Sequence, residues 1–133
     1  MKFRCKGAKH LNNYALNGYK LCFSHKTDHS VFGHANIIKS KKSKIKGAIW
    51  KITKEHEKEL DIYEGVDYGY YQKEYFTYKG KKVLVYIQKV YYFKKPGSKY
   101  LHTIIQGYKD CLLDTMHLKK VVMNYKINYK INW

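Results

Sequence analysis

Residues 45–71 read IKGAIWKITKEHEKELDIYEGVDYGYY, and two structural periods meet inside them. Ile45 to Ile52 is rich in β-branched and aromatic residues, which predicts a strand. Thr53 then offers a side-chain oxygen as a helix N-cap. Lys54 to Tyr63 has a helical composition, with Leu60 and Tyr63 spaced to share a face. Gly65 can take the left-handed conformation that ends a helix. A strand feeding a short helix, with more strand signals on both sides, places the chain in the α+β class. The stretch also sets one carboxylate, Glu64, at the helix end beside a glycine, with Tyr71 following seven residues later.

Working outward, Ala15 to Phe23 reads as a strand with a glycine inside it, and Lys26 to Gly33 as a polar loop. Gly33 to Ile38 reads as a short strand, and Lys39 to Lys44 as a basic turn before the strand at Ile45. On the other side, Tyr70 to Tyr78 and Lys82 to Phe93 flank Lys79-Gly80-Lys81, a hairpin signal. Pro96-Gly97-Ser98 is a loop. Leu101, Ile104, Ile105 and Tyr108 recur at helical spacing over Lys99 to Asp110. Asp114 to Met123 predicts a further short helix, and the tail from residue 124, which repeats Asn-Tyr-Lys-Ile, is expected to be frayed or weakly docked. The sum is five to six strands and two to three helices, as a small mixed β-barrel or bent sheet. Residues 1–123 form the expected domain and 124–133 a C-terminal tail.

With 133 residues the chain supports one domain with one modest core. Hydrophobic residues at 44% and aromatic residues at 17% argue against disorder in spite of the charge. A net charge of +17 favours anionic partners, nucleic acid among them. The lysines are nevertheless spread along the chain, and only Lys39 to Lys46 forms a dense run, so a solvated surface is the default. Cys5, Cys22 and Cys111 cannot all pair with one another and no CxxC occurs, which fits a reducing compartment and a cytoplasmic location. No stretch is apolar for the length of a membrane span.

The sequence holds few candidates for chemistry. Cys22, His25, His29 and His34 are zinc-ligand types, but they lack a standard ligand spacing, so dispersed loop histidines are the expectation and no metal is assigned. Glu64 has no second catalytic carboxylate beside it in the pattern and suits single-residue proton shuttling. Asp61, three residues earlier, can share its helix face and is read as structural. Tyr71, Tyr86 and Tyr100 fall in three successive predicted elements.

The stretches GYKLCF (18–23), GHANI (33–37), IKGAIWKIT (45–53), ELDIYEGVDYGYY (59–71) and PGSKYLHTIIQGYKDCLL (96–113) resemble the γ-glutamylcyclotransferase family, which includes γ-glutamylamine cyclotransferases and AIG2-like proteins. The Leu-Asp-x-x-Glu-Gly element, the tyrosine seven residues after its Glu and the later Pro-x-Ser-x-Tyr element carry the resemblance. It implies a small mixed β-barrel flanked by helices, with Glu64 as catalytic acid/base and Tyr71, Tyr86 and Tyr100 lining a substrate pocket. The implied reaction is intramolecular acyl transfer on γ-glutamyl amines or γ-glutamyl amino acids, releasing 5-oxoproline without a cofactor. Glutathione, a γ-glutamyl dipeptide and γ-glutamyl-lysine all remain open as the substrate.

One departure is plain. Family members open with a strand and loop reading Tyr-Gly-Ser-Asn, whose amides cradle the γ-glutamyl group. Here Met1-Lys2-Phe3-Arg4-Cys5 resembles the segment just after that loop, so the chain is expected to be N-terminally truncated relative to the family. The alternatives are an inactive fragment of such an enzyme, or a non-catalytic basic module for RNA or another polyanion.

Overall fold

The structure, a computed structural model, describes residues 5–133. Met1 to Arg4, where the resemblance to the post-loop segment begins, lie outside the described residues.

Two long strands dominate. β1 (Lys9–His25) and β2 (His34–Lys51) pair antiparallel from Lys9↔Lys51 to Ser24↔His34. The register shifts between His10 and Asn12 and again between Asn17 and Tyr19, where Gly18 takes φ +82. Gly18 therefore bends β1 at a bulge and does not end it. The expected division of β2 into two strands around a basic turn is corrected: Lys39 to Lys44 lies within one strand. The reason is exposure. Lys42, Lys44 and Lys46 point to water while Ser43 and Ile45 between them are half-buried, so the lysines occupy the wet side of a regular strand.

Helix α1 (Lys54–Tyr63) begins at Thr53, as its sequence predicts. The box is closed by His56 where a Glu or Gln is usual. The His56 N–H donates to Thr53 Oγ1 and the Thr53 N–H to His56 Nδ1, each at 3.1 Å. That fixes the tautomer and leaves Nε2–H to donate to the Lys6 carbonyl at 2.9 Å. Beyond the helix, one 3₁₀ turn (Val66–Tyr68) leads to β3 (Gln72–Tyr78) and β4 (Lys81–Ile87). These pair antiparallel from Gln72↔Ile87 to Tyr78↔Lys81. Their two-residue turn, Lys79-Gly80, has φ +49 and +75, the positive pair that matches the twist of a tight hairpin. β5 (Tyr92–Phe93) joins the free edge of β1 and gives the order β2-β1-β5, with β3-β4 a separate sheet. Among the described residues, five strands and three helices confirm the α+β expectation, and the two sheets they form do not close into a barrel.

The core lies where α2 (Ser98–Asp110) and α3 (Met116–Val122) cover one face of β1: Leu21, Phe23, Leu101, Ile105, Leu118 and Val122. Residues 21–24 are all buried, so this part of β1 is covered on both faces. On the second face Ser24, Asn36 and Gln88 are buried and mutually bonded. The Asn36 amide donates to the Gln88 carbonyl at 3.0 Å, and its oxygen accepts the Gln88 N–H at 2.8 Å. Asn36 thus pairs with Gln88 as a neighbouring strand would and ties the two sheets together.

Of the two states expected for the tail, frayed or weakly docked, it is the docked one that the structure shows. Tyr125, Ile127, Tyr129, Ile131 and Trp133 pack against the core. The Tyr125 hydroxyl accepts the Phe23 N–H at 2.8 Å and donates to the Phe23 carbonyl at 2.9 Å, and Tyr129 donates to the Pro96 carbonyl at 2.6 Å.

Gly33 begins the return strand under tight constraint. A Cβ there would stand 2.6 Å from the Lys94 carbonyl oxygen and 2.8 Å from the backbone N and O of Ser24. Backbone atoms cannot rotate away, so Gly33→Ala is expected to cost about 2–3 kcal/mol, the upper part of the range for overpacking. Urea unfolding measures it, and an unchanged midpoint would show that the three strands separate more easily than this contact implies.

Candidate active site

Glu64 is the C-cap of α1. Its N–H donates to the Leu60 carbonyl at 2.8 Å, and the side chain is half-buried. Gly65 follows at φ +63, and its carbonyl accepts the N–H groups of Tyr68 and Tyr70, each at 3.1 Å. This turn swings the chain from the helix end into Tyr71. A residue with a side chain at position 65 would be strained by the backbone angle and would meet Tyr70 at 3.0 Å, so the glycine fixes how Glu64 and Tyr71 are set relative to each other.

Tyr71 is buried, and its hydroxyl donates to the Ala35 carbonyl at 2.8 Å. Tyr100, from α2, accepts the Ala35 N–H at 2.9 Å. The two phenols therefore clasp both backbone groups of one residue of β2, where a further strand would otherwise pair. Burial pushes the Tyr71 hydroxyl far above the ordinary phenol range, and nearby Tyr100 and the charge of Glu64 push the same way. The His34 ring meets the Tyr100 ring edge-on at 4.8 Å.

Tyr86 stands apart from that pair. It lies on β4 opposite Lys73 of β3. Its hydroxyl donates to Asp61 Oδ1 at 2.6 Å, while Lys73 Nζ donates to Asp61 Oδ2 at 3.0 Å and also contacts Glu57. The hairpin thus docks on the face of α1 that carries Glu57, Asp61 and Glu64. Burial raises the proton affinity of Tyr86, then the bond to Asp61, then the charges of Asp61, Glu57 and Glu64. The bond to Glu57 and the carboxylate charges hold Lys73 firmly protonated, against a smaller effect of burial. Asp61, read from sequence as structural, is the junction between Tyr86 and Lys73. The sequence signal for it was its position one helical turn before Glu64, whereas Lys73 reaches it from β3, a contact between separate elements that no local pattern marks.

The zinc-ligand types do not assemble. Among the described residues no group of three or more His, Cys, Asp or Glu is placed to hold a metal. Burial pushes the Cys22 thiol up to about 11, so it stays protonated near neutral pH. A depression of about 450 Å³ lies between β2 and β4, with Tyr19, Ile37, Lys39, Ile87 and Gln88 in its lining. None of Glu64, Tyr71, Tyr86 and Tyr100 lines it. The chemistry-bearing groups weigh more here than concavity, because the carboxylate that lines that depression, Glu74, is paired with Lys89.

The sequence profile described as gamma-glutamyl cyclotransferase, AIG2-like, matches residues 1–108. The chain belongs to the gamma-glutamyl cyclotransferase, AIG2-like family. A solved gamma-glutamyl cyclotransferase superimposes with a TM-score of 0.76 at 25% identity, over 98% of this chain and 84% of its own. A human protein described as uncharacterized, whose crystal structure was refined as an ensemble, gives 0.75 at 24% identity over the same shares and supports the fold alone. No curated protein matches the chain. Family and fold together support a cyclotransferase-type enzyme acting on a small molecule. No helix among the described residues is long and apolar enough to cross a membrane.

Proposed function

We propose that the chain catalyses intramolecular aminolysis of γ-glutamyl amines or γ-glutamyl amino acids, with Glu64 as the acid/base and Tyr71, Tyr86 and Tyr100 shaping the pocket. The observation that carries this is the placement of Glu64 at the end of α1, where its charge bears on both Tyr71 and Tyr86, in a chain of this family.

The α-ammonium loses a proton to Glu64, and the amine nitrogen attacks the γ-carbonyl. The C–N bond to the leaving group breaks as Glu64 hands that proton to the departing nitrogen, and the second proton of the attacking nitrogen follows through the same carboxylate, so the amine leaves as an ammonium. Atoms balance with no water and no cofactor: γ-glutamyl amine becomes 5-oxoproline and free amine. Closure of a five-membered ring supplies most of the proximity, so the protein's share is proton transfer, orientation and charge stabilisation. Incubation with γ-glutamyl amines and dipeptides, with 5-oxoproline quantified, tests the proposal. Release from none of them would overturn it.

The β1–β2 ribbon favours a second reading. β1 carries two lysines and β2 six, and neither carries an Asp or Glu. Lys42, Lys44 and Lys46 project at alternate positions, about 7 Å apart. This row suits phosphate contact without base readout. Binding to RNA or DNA is therefore expected to be weak and sequence-independent, and to fall steeply as salt rises. Tight, sequence-selective binding in moderately high salt would instead rank nucleic-acid recognition above the enzyme.

A further inference from the structure

The bonds around Asp61 have a direction. A carboxylate only accepts, so the proton shared between Tyr86 and Asp61 Oδ1 at 2.6 Å belongs to the phenol. The other oxygen, Oδ2, accepts a hydrogen bond from Lys73 Nζ at 3.0 Å. With its own proton committed, the Tyr86 oxygen offers only lone pairs to anything else that approaches. Tyr71 is in the same state, since its hydroxyl donates to the Ala35 carbonyl.

The charge of Glu64 bears on both phenols. Glu57, Asp61 and Glu64 recur along one side of α1, and Lys73 of the hairpin pairs with the first two. A phenol oxygen locked as an acceptor, on the side of α1 that carries Glu57, Asp61 and Glu64, suits a group with N–H donors and a positive charge.

We propose that Asp61 is a positioning residue that locks Tyr86 as a hydrogen-bond acceptor for the α-ammonium of the substrate. This rests on the cyclotransferase reading of the site and assigns the polarity of its recognition. Lys73 completes the device by occupying Oδ2, which holds the carboxylate in one rotamer.

The decisive variant is Asp61→Asn. Lys73 can only donate, so the amide must turn its oxygen to Lys73 and its NH₂ to Tyr86. The Tyr86 hydroxyl then accepts from Asn, and its own proton points into the site against the ammonium. The shape of residue 61 is nearly unchanged while the polarity of Tyr86 reverses.

Two probes separate this from a structural role: γ-glutamyl methylamide, and the corresponding glutaric acid monomethylamide, which lacks the α-ammonium and cannot cyclise. Calorimetry on the full chain gives the ratio of their affinities without requiring turnover. The wild type is expected to prefer the ammonium-bearing probe by about tenfold or more, the scale of one hydrogen bond to a charged group. Asp61→Asn should bring the ratio near unity. Where turnover is measurable, it should raise KM far more than it lowers kcat. Tyr86→Phe should lose the same selection, and the double variant should lose no more than Tyr86→Phe alone.

Retained selection in Asp61→Asn, additive losses in the double variant, or a wild type that binds the two probes equally or binds neither would each overturn the inference. A wild type that selects the ammonium-bearing probe yet forms no 5-oxoproline would overturn the proposed reaction and leave the inference standing.

Discussion

Glu64→Gln is expected to lower the rate of 5-oxoproline release by about 10² to 10⁴-fold, the usual contribution of a positioned acid/base. The side chain sits at the C-cap of α1, where the amide occupies nearly the same volume. The helix end is held by backbone bonds from Glu64 to Leu60 and from Gly65 to Ile62, so the fold does not depend on the charge. What the amide lacks is a basic oxygen. It cannot take the proton that the α-ammonium must lose before its nitrogen can attack, nor return one to the departing amine. Both proton steps pass through this one group, and no neighbour is suited to replace it: Asp61 is committed to Tyr86 and Lys73, and Tyr71 holds its proton far above neutral pH. Thermal unfolding measured beside the assay separates lost chemistry from lost structure. An unchanged rate in a folded protein would remove Glu64 from the mechanism.

How much of this was legible depended on whether the signal was local. α1 announced itself at both ends, through Thr53 and Gly65, because capping is settled within a few residues. The β3–β4 hairpin was visible in Lys79-Gly80 for the same reason. The second long strand was misdivided because Lys39 to Lys46 looks like a solvated turn. Its alternation is basic against half-buried Ser43 and Ile45, a weak period that the charge run masks. Glu64, Tyr71, Tyr86 and Tyr100 could be nominated by resemblance, but their arrangement could not. Tyr71 and Tyr100 come from separate elements and meet on Ala35, whereas Tyr86 belongs to a different cluster built on Asp61. Lys73 closes that cluster across a sheet, and the spacing of 12 residues between Lys73 and Asp61 obeys no helical or strand rule.

Removing residues 124–133 is expected to destabilise the protein by about 5 kcal/mol, from five apolar or aromatic side chains at roughly 1 kcal/mol each for partial burial. That is a large share of the 5–15 kcal/mol typical of a domain. The period was present in the sequence. Tyr125, Ile127, Tyr129, Ile131 and Trp133 alternate with Lys126, Asn128, Lys130 and Asn132, and the odd positions are the ones that pack on the core. The segment looks polar on average and is apolar on one side. It does not form a strand. Instead the Tyr125 hydroxyl serves both backbone groups of Phe23, at the edge of β1 away from β2, and the tail lies over the helical layer. Loss of the tail would expose Phe23, Leu101 and Leu118, which are fully buried, and would withdraw the partner of the Phe23 N–H. Tyr125→Phe isolates the second effect. It keeps the ring against Phe23 but leaves that N–H without its acceptor, for about 1–3 kcal/mol. Urea unfolding of the two variants gives both numbers. If deletion of the tail left the midpoint where it was, the odd-numbered side chains would be resting on the core without stabilising it, and the domain would end at α3.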